Sequence, residues 1–196
     1  MNTKLLRKTV LGVAGLAFAG GVIGGPVGTA LESPVHAATP VAVVQAEKPD
    51  AGKLMPNGVP GSQSRIPLNG EQTANVKAIV EATKKAGMDE RAAVVAIATS
   101  LQESKLENLG HLGDRNDHDS QGLFQQRPSS GWGTVEQITD PEYSTTAFLK
   151  GLKQVDGWQD MPLTQAAQTV QVSAYPDHYA QWEKQAADLV AEHWNS

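Results

Sequence analysis

Glu103 is the residue whose type and setting most clearly suggest chemistry, because it lies at the C-terminal end of the most apolar predicted helix. Ser100 and Thr99 are small and share its helical face, which leaves room for a molecule to lie across the carboxyl. The sequence places no lysine or arginine three or four residues away. Desolvation and the helix dipole are then expected to raise the pKa of the carboxyl, as general acid catalysis requires. The alternative is a solvated residue at a helix end.

Three short segments in order around this glutamate resemble the motifs of one family. Residues 98–104, with the sequence ATSLQES, resemble the glutamate motif of the soluble lytic transglycosylase and lysozyme-like superfamily. Gly122, Leu123, Phe124 and Gln125 resemble its G-L-[MF]-Q segment, which lines the sugar cleft. Residues 173–175, with the sequence SAY, resemble its A-Y motif, whose tyrosine hydrogen-bonds the catalytic glutamate.

The resemblance implies a lysozyme-like helical domain that cleaves peptidoglycan glycan strands between N-acetylmuramic acid and N-acetylglucosamine, with no metal and no other cofactor. It implies that Glu103 is the acid and base and that Tyr175 orients it. Further residues are predicted to bind the glycan, with Trp132 stacking on a sugar or filling the core under its loop: Ser104, Gly122, Leu123, Phe124, Gln125, Trp132 and Asp119.

Two questions stay open from the sequence. A lytic transglycosylase needs one glutamate, whereas a hydrolysing muramidase usually uses a second carboxylate, for which Asp114, Asp117 and Asp119 are the candidates. Turn formation in a solvated loop is the other interpretation of these aspartates. A third possibility is a non-catalytic module that binds cell-wall glycan or a protein.

The elements that must position these residues are helices, so the predicted fold class is mainly α. Asn69 with Gln72 forms a capping box for a first helix, which Gly87 ends. Asp89 caps a second helix, buried on most sides. The later helices are predicted by their starting residues: Asp140 and Pro141 for a helix to about Val155, Thr164 for a helix through Val172, and Pro176 for a last helix that buries Tyr179 and Trp182.

The N-terminus has the pattern of an export signal. Lys4, Arg7 and Lys8 precede an uncharged apolar run over residues 10–23, and small residues allow cleavage after Ala37 or Ala30. An uncleaved membrane anchor is the alternative. The predicted organisation is a signal peptide over 1–37, a flexible proline-rich and glycine-rich linker over 38–67, and one helical domain over 68–196.

Composition limits the partners. The 196-residue chain has a net charge of −5. Without residues 1–37 it has 13 basic against 20 acidic residues, a net charge of −7. This excludes nucleic acid as a partner and electrostatic adhesion to an anionic membrane. The chain has no cysteine, which excludes thiolate catalysis. Neither calcium-loop nor zinc-ligand spacing fits. We therefore expect a secreted, cell-wall-associated monomer without a membrane span after signal cleavage.

Overall fold

The computed structural model describes residues 47–113 and 118–196, all of which belong to one compact unit, Val44–Ser196. These residues form helices and no β-strand, apart from an isolated bridge between Gln121 and Gln126. The predicted mainly α class is confirmed. The predicted signal peptide over 1–37 and the first part of the linker lie outside the described residues.

Six α-helices and three short 3₁₀ helices make up this unit in the order of the chain. The α-helices are α1 (Gly70–Lys85), α2 (Glu90–Ser104), α3 (Val135–Ile138), α4 (Pro141–Leu152), α5 (Leu163–Gln171) and α6 (Glu183–His193). The 3₁₀ helices are Pro128–Ser130, Trp158–Asp160 and His178–Trp182.

The caps of the first two helices are those predicted. Asn69 accepts a hydrogen bond from the backbone of Gln72, whose side chain returns one to the Asn69 backbone, so the capping box is confirmed. Gly87 follows the end of α1 with φ of 66°, a conformation that favours glycine. Asp89 caps α2 through the backbone N–H of Ala92.

Helix α2 is the centre of the core. Every residue from Ala92 to Leu101 is buried, as predicted, and α2 packs against α1, α4, α5 and α6. Full burial of one large aliphatic side chain contributes about 1.5–3 kcal/mol. The packing on all sides fixes the axis of α2, and it therefore fixes the place of the residues at its C-terminal end.

The predicted starts of the later helices are partly wrong. Asp140 and Pro141 do start α4, but this helix ends at Leu152 rather than near Val155. Helix α5 starts after Pro162, because the hydroxyl of Thr164 donates to the carbonyl of Pro176 instead of capping the helix.

The last predicted helix is divided in two. A 3₁₀ helix at His178–Trp182 comes before α6, which begins only at Glu183. Tyr179 and Trp182 are buried as predicted, but the 3₁₀ helix carries both of them.

The described part of the predicted linker packs against the helices. Arg91 on α2 and Glu183 on α6 form a buried ion pair with 2.7 Å between Nη1 and Oε1. The same Nη1 donates to the carbonyl of Leu54 at 2.9 Å. Ile66 exchanges backbone hydrogen bonds with the side-chain amide of Gln185. This stretch therefore contacts the helical unit well before Leu68, where the domain was predicted to begin.

Across 47–113 and 118–196, none of the helices combines the length and the apolar character needed to cross a membrane.

Candidate functional site

The end of α2 places Glu103 at the surface of the core. Lys105 and Leu106 follow the helix with φ of 58° and 64°, so the chain turns away directly after the glutamate. Two successive left-handed residues other than glycine store backbone strain. Two α1 side chains stabilise this turn, since the amide of Gln72 donates to the carbonyl of Lys105 at 2.8 Å and that of Asn75 to the carbonyl of Leu106 at 2.9 Å.

The half-buried carboxyl of Glu103 is held by two donors on one oxygen. The hydroxyl of Tyr179 donates to Oε1 at 2.6 Å, and Nε2 of Gln171 lies 3.3 Å from the same atom. Gln171 Nε2 also donates to the carbonyl of Phe124 at 2.8 Å. Tyr179 and Gln171 thus come from two different elements, and together they fix the orientation of the carboxyl.

Tyr179 is a permanently protonated donor in this setting. Burial raises the pKa of its hydroxyl well above the ordinary range, and the charge of Glu103 and the hydrogen bond to it act in the same direction. A hydrogen bond with the Ser173 side chain opposes these effects. The phenol therefore stays neutral at physiological pH and supplies its proton to the Glu103 oxygen.

Glu103 faces an open groove of about 900 Å³. Residues 120–132 form one wall, to which Gln125, Arg127 and Trp132 contribute. Residues 170–175, at the end of α5 and beyond it, form the other wall. The groove is large enough for a chain-like polar ligand to pass in front of the carboxyl.

The wall formed by the predicted Gly-Leu-Phe-Gln segment depends on its backbone. Leu123 and Phe124 are fully buried, and the Phe124 ring stacks on Phe148 with 5.1 Å between centroids. Gly122 has φ of 77°, and a Cβ there would lie 2.0 Å from the carbonyl oxygen of Ile138. These three predicted binding residues therefore build the wall from behind, and they are not among the residues that line the groove.

Ser104 has a similar supporting position. Its hydroxyl is buried and donates to the carbonyl of Leu123 at 2.8 Å, which ties the end of α2 to the wall. It was predicted to contact the glycan, but it does not line the groove.

Gln125 and Trp132 lie where a ligand can reach them. Both line the groove and both are half-buried. Gln125 has φ of 47°, and its Nε2 donates to the carbonyl of Gly122 at 3.1 Å. The Trp132 side chain also borders a second, smaller depression beside Tyr143 and Lys150. The indole therefore has surface available to a ligand as well as contacts with its own loop.

The role predicted for Tyr175 belongs to another tyrosine. Tyr179 makes the hydrogen bond to Glu103 that was assigned to Tyr175, and on this point the prediction is wrong. Tyr175 is 63% exposed, lines the groove, and stacks on His178 with 5.0 Å between ring centroids. The physical reason is the 3₁₀ helix after Pro176, which turns the side chain four residues later toward α2.

Asp119 is occupied by its own loop. Its carboxylate accepts hydrogen bonds from the backbone N–H and the hydroxyl of Ser129, each at 2.8 Å, and these bonds lower the pKa of the exposed carboxyl. It does not line the groove, whose lining within the described part of the chain has Glu103 as its one carboxylic acid. Asp114 and Asp117 lie outside the described residues.

The end of α5 shows an unusual backbone that the sequence did not reveal. Val172 follows Gln171 with φ of 53° and is 80% exposed, which is rare for a β-branched residue. A reciprocal pair of hydrogen bonds holds this turn, from Nε2 of Gln168 to the Ser173 carbonyl and from the Ser173 N–H to Oε1 of Gln168. The turn stops α5 at the residue whose amide reaches Glu103.

Gln171 was missed because a glutamine on an amphipathic helix has the pattern of a solvent-facing residue. Arg127, which lines the groove and donates from Nε to Ser120, carried no signal either. No group of three or more histidine, aspartate or glutamate side chains suited to a metal ion occurs in residues 47–113 and 118–196.

No protein-family model matches this chain, and no curated protein matches it.

Proposed function

We propose that this protein is a lysozyme-like lytic transglycosylase, which cleaves peptidoglycan glycan strands between N-acetylmuramic acid and N-acetylglucosamine. One observation carries the proposal: a half-buried glutamic acid, oriented by a neutral tyrosine, faces a groove that can admit a polymer. The motif resemblance of residues 98–104 and 122–125 supports the same function.

The first step is protonation of the leaving group. The donors Tyr179 and Gln171 both act on Oε1 of Glu103, so the proton is carried by Oε2, the other oxygen. Glu103 transfers this proton to the glycosidic oxygen, the bond from that oxygen to C1 of the muramoyl residue breaks, and positive charge develops on the ring. The charge left on Glu103 is stabilised by the hydrogen bond from Tyr179.

The second step returns the proton. The C6 hydroxyl of the muramoyl residue attacks C1, its proton goes to the carboxylate of Glu103, and a 1,6-anhydro ring closes. No water is consumed, and Glu103 recovers its starting state. One carboxyl group is enough for this sequence of steps.

The position of Asp119 favours this outcome over hydrolysis. A hydrolysing enzyme needs a second carboxylate close to the reacting sugar, either as nucleophile or as base for water. Asp119 is turned to Ser129 and lies outside the groove lining. The proposed location is the cell wall, reached through the export signal predicted over residues 1–37.

Release of soluble fragments from purified peptidoglycan tests the activity. We expect the wild-type protein to release them, Glu103→Gln to release none, and Glu107→Gln, which changes an exposed glutamate outside the groove, to retain activity. Binding to insoluble peptidoglycan without release by any variant would indicate a non-catalytic glycan-binding module instead.

A further inference from the structure

A short extended segment, residues 63–66, lies against the 3₁₀ helix that carries Tyr179. The backbone N–H of Ser64 donates to the carbonyl of Gln181 at 2.8 Å, and the hydroxyl of Ser64 donates to Oε1 of the same glutamine at 2.6 Å. Both bonds cross more than a hundred residues of sequence. They connect the segment that the sequence assigned to a flexible linker with the element next to Glu103.

Gln63 makes a second connection to this region. Its Nε2 donates to the carbonyl of Ala180 at 3.0 Å, and its Oε1 accepts from the backbone N–H of Lys184 at 3.0 Å. One side-chain amide thus joins the 3₁₀ helix to the first turn of α6. Ser64 and Gln63 together bond to Ala180 and Gln181, the two residues that directly follow Tyr179.

The same helix is tied on its other side to the neighbour of the catalytic residue. Nε2 of Gln181 lies 3.1 Å from Oε1 of Gln102, and Nε1 of Trp182 donates to that oxygen at 2.9 Å. A continuous hydrogen-bonded path therefore runs from Ser64 through Gln181 to Gln102, one residue before Glu103.

The 3₁₀ helix depends on such outside contacts for its position. It has five residues, and its N-terminal residue Asp177 makes no side-chain capping bond. Short 3₁₀ helices have poor internal hydrogen-bond geometry and little stability of their own. Bonds from neighbouring segments therefore decide where the Tyr179 hydroxyl lies relative to Glu103.

We propose that Gln63 and Ser64 are positioning residues of the active site, which hold the 3₁₀ helix His178–Trp182 in the place from which Tyr179 donates to Glu103. This inference rests on the proposed function for its kinetic consequence. The contact itself does not depend on what the groove binds. The segment 63–66 is accordingly part of the functional unit and not a tether in front of it.

The test compares Gln63→Ala/Ser64→Ala with Ser62→Ala in the otherwise unchanged protein, since Ser62 is an exposed serine just before the segment. We expect kcat for fragment release to fall about tenfold in the double variant while KM changes by less than about twofold, because positioning acts on the transition state. Ser62→Ala should match the wild type. Ser64→Thr, which keeps the hydroxyl, should retain most of the activity, and the single change Ser64→Ala covers the case in which the double variant unfolds.

A second readout does not require catalysis. With ¹³C-labelled tyrosine, the Tyr179 resonance is assigned through Tyr179→Phe and followed against pH. Burial and Glu103 raise the pKa of Tyr179, so a displaced helix lowers it toward the ordinary value in the double variant.

The outcomes separate the two proposals. If the wild type releases no fragments but the Tyr179 titration still moves in the double variant, the proposed activity fails and the positioning contact stands. If the wild type is active and a folded double variant shows unchanged kcat and an unchanged Tyr179 titration, the inference about Gln63 and Ser64 is overturned.

Discussion

The hydroxyl oxygen of Tyr179 lies 2.6 Å from Oε1 of Glu103, and the two residues come from elements separated by 76 positions of sequence. Neither residue has its role alone. Glu103 supplies the proton that the chemistry moves, and Tyr179 fixes which oxygen carries it. The predictions below follow from this pair and from the parts of the fold that bring it together.

Removal of the Tyr179 hydroxyl should slow the reaction without weakening substrate binding. The hydroxyl donates to a charged oxygen, and such a bond contributes about 1.5–3 kcal/mol. Tyr179→Phe is therefore expected to lower kcat by about 10- to 100-fold with little change in KM. Steady-state release of fragments measures both. Tyr175→Phe is the comparison, and a larger loss of kcat there than at Tyr179 would restore the role first assigned to Tyr175.

Gln171 should contribute through its bridge between Glu103 and the Phe124 carbonyl. Gln171→Ala removes one donor to the carboxyl and one tie between the two walls of the groove. We expect a loss in kcat of about tenfold, close to the effect of one net hydrogen bond. The control is Gln165→Ala on the exposed side of the same helix. Equal activity of the two variants would remove Gln171 from the site.

Lys105 should set the pH range of the reaction through its charge. Burial lowers the pKa of its ammonium group, and the negative charge of Glu103 partly opposes this. The coupling is reciprocal, so the ammonium group stabilises the carboxylate form of Glu103. Lys105→Gln should therefore raise the pH at which Glu103 loses its proton, and the alkaline limb of the kcat/KM profile should move upward.

The matched control for this profile is Lys77→Gln, which changes an exposed lysine on α1 outside the groove. The shift at Lys105 should also shrink in high salt, because mobile ions screen partly exposed charges. A downward shift of the alkaline limb in Lys105→Gln would contradict the assigned electrostatics.

Gly122 should be required for the stability of the groove wall. Gly122→Ala combines a left-handed backbone with a Cβ only 2.0 Å from the Ile138 carbonyl oxygen. Gly131 has a similar φ of 82° and open space around the Cβ position, so Gly131→Ala measures the backbone cost alone, about 1 kcal/mol. We expect the free energy of unfolding to fall by about 2–4 kcal/mol in Gly122→Ala. Equal losses in chemical denaturation would show that the close contact costs nothing.

The sequence predicted the local features of the site well. Asn69 and Asp89 cap the first two helices because capping depends on residues three positions apart. The uncharged stretch Ala92–Leu101 is buried because a helix without polar residues has no face for water. Glu103 could be singled out for the same reason, since its small neighbours and its place at the helix end are readable from spacing.

The partners of Glu103 could not be predicted in the same way. Tyr179 and Gln171 reach it through tertiary packing of a 3₁₀ helix and a helix end, and neither leaves a periodic pattern. The segment around Ser64 was assigned to a linker because proline-rich stretches show no helical or strand period. Its attachment uses backbone groups and single polar side chains, which composition does not distinguish from a solvated chain.

Mass spectrometry of the sugar ends that the protein produces tests the central claim most directly. Purified peptidoglycan is digested with the wild-type protein and with Glu103→Gln, and the soluble muropeptides are compared. We predict 1,6-anhydromuramoyl ends from the wild type and no soluble products from the variant. Reducing ends from the wild type would show that water attacks instead of the C6 hydroxyl, and products that persist in Glu103→Gln would contradict the role of Glu103 as the acid.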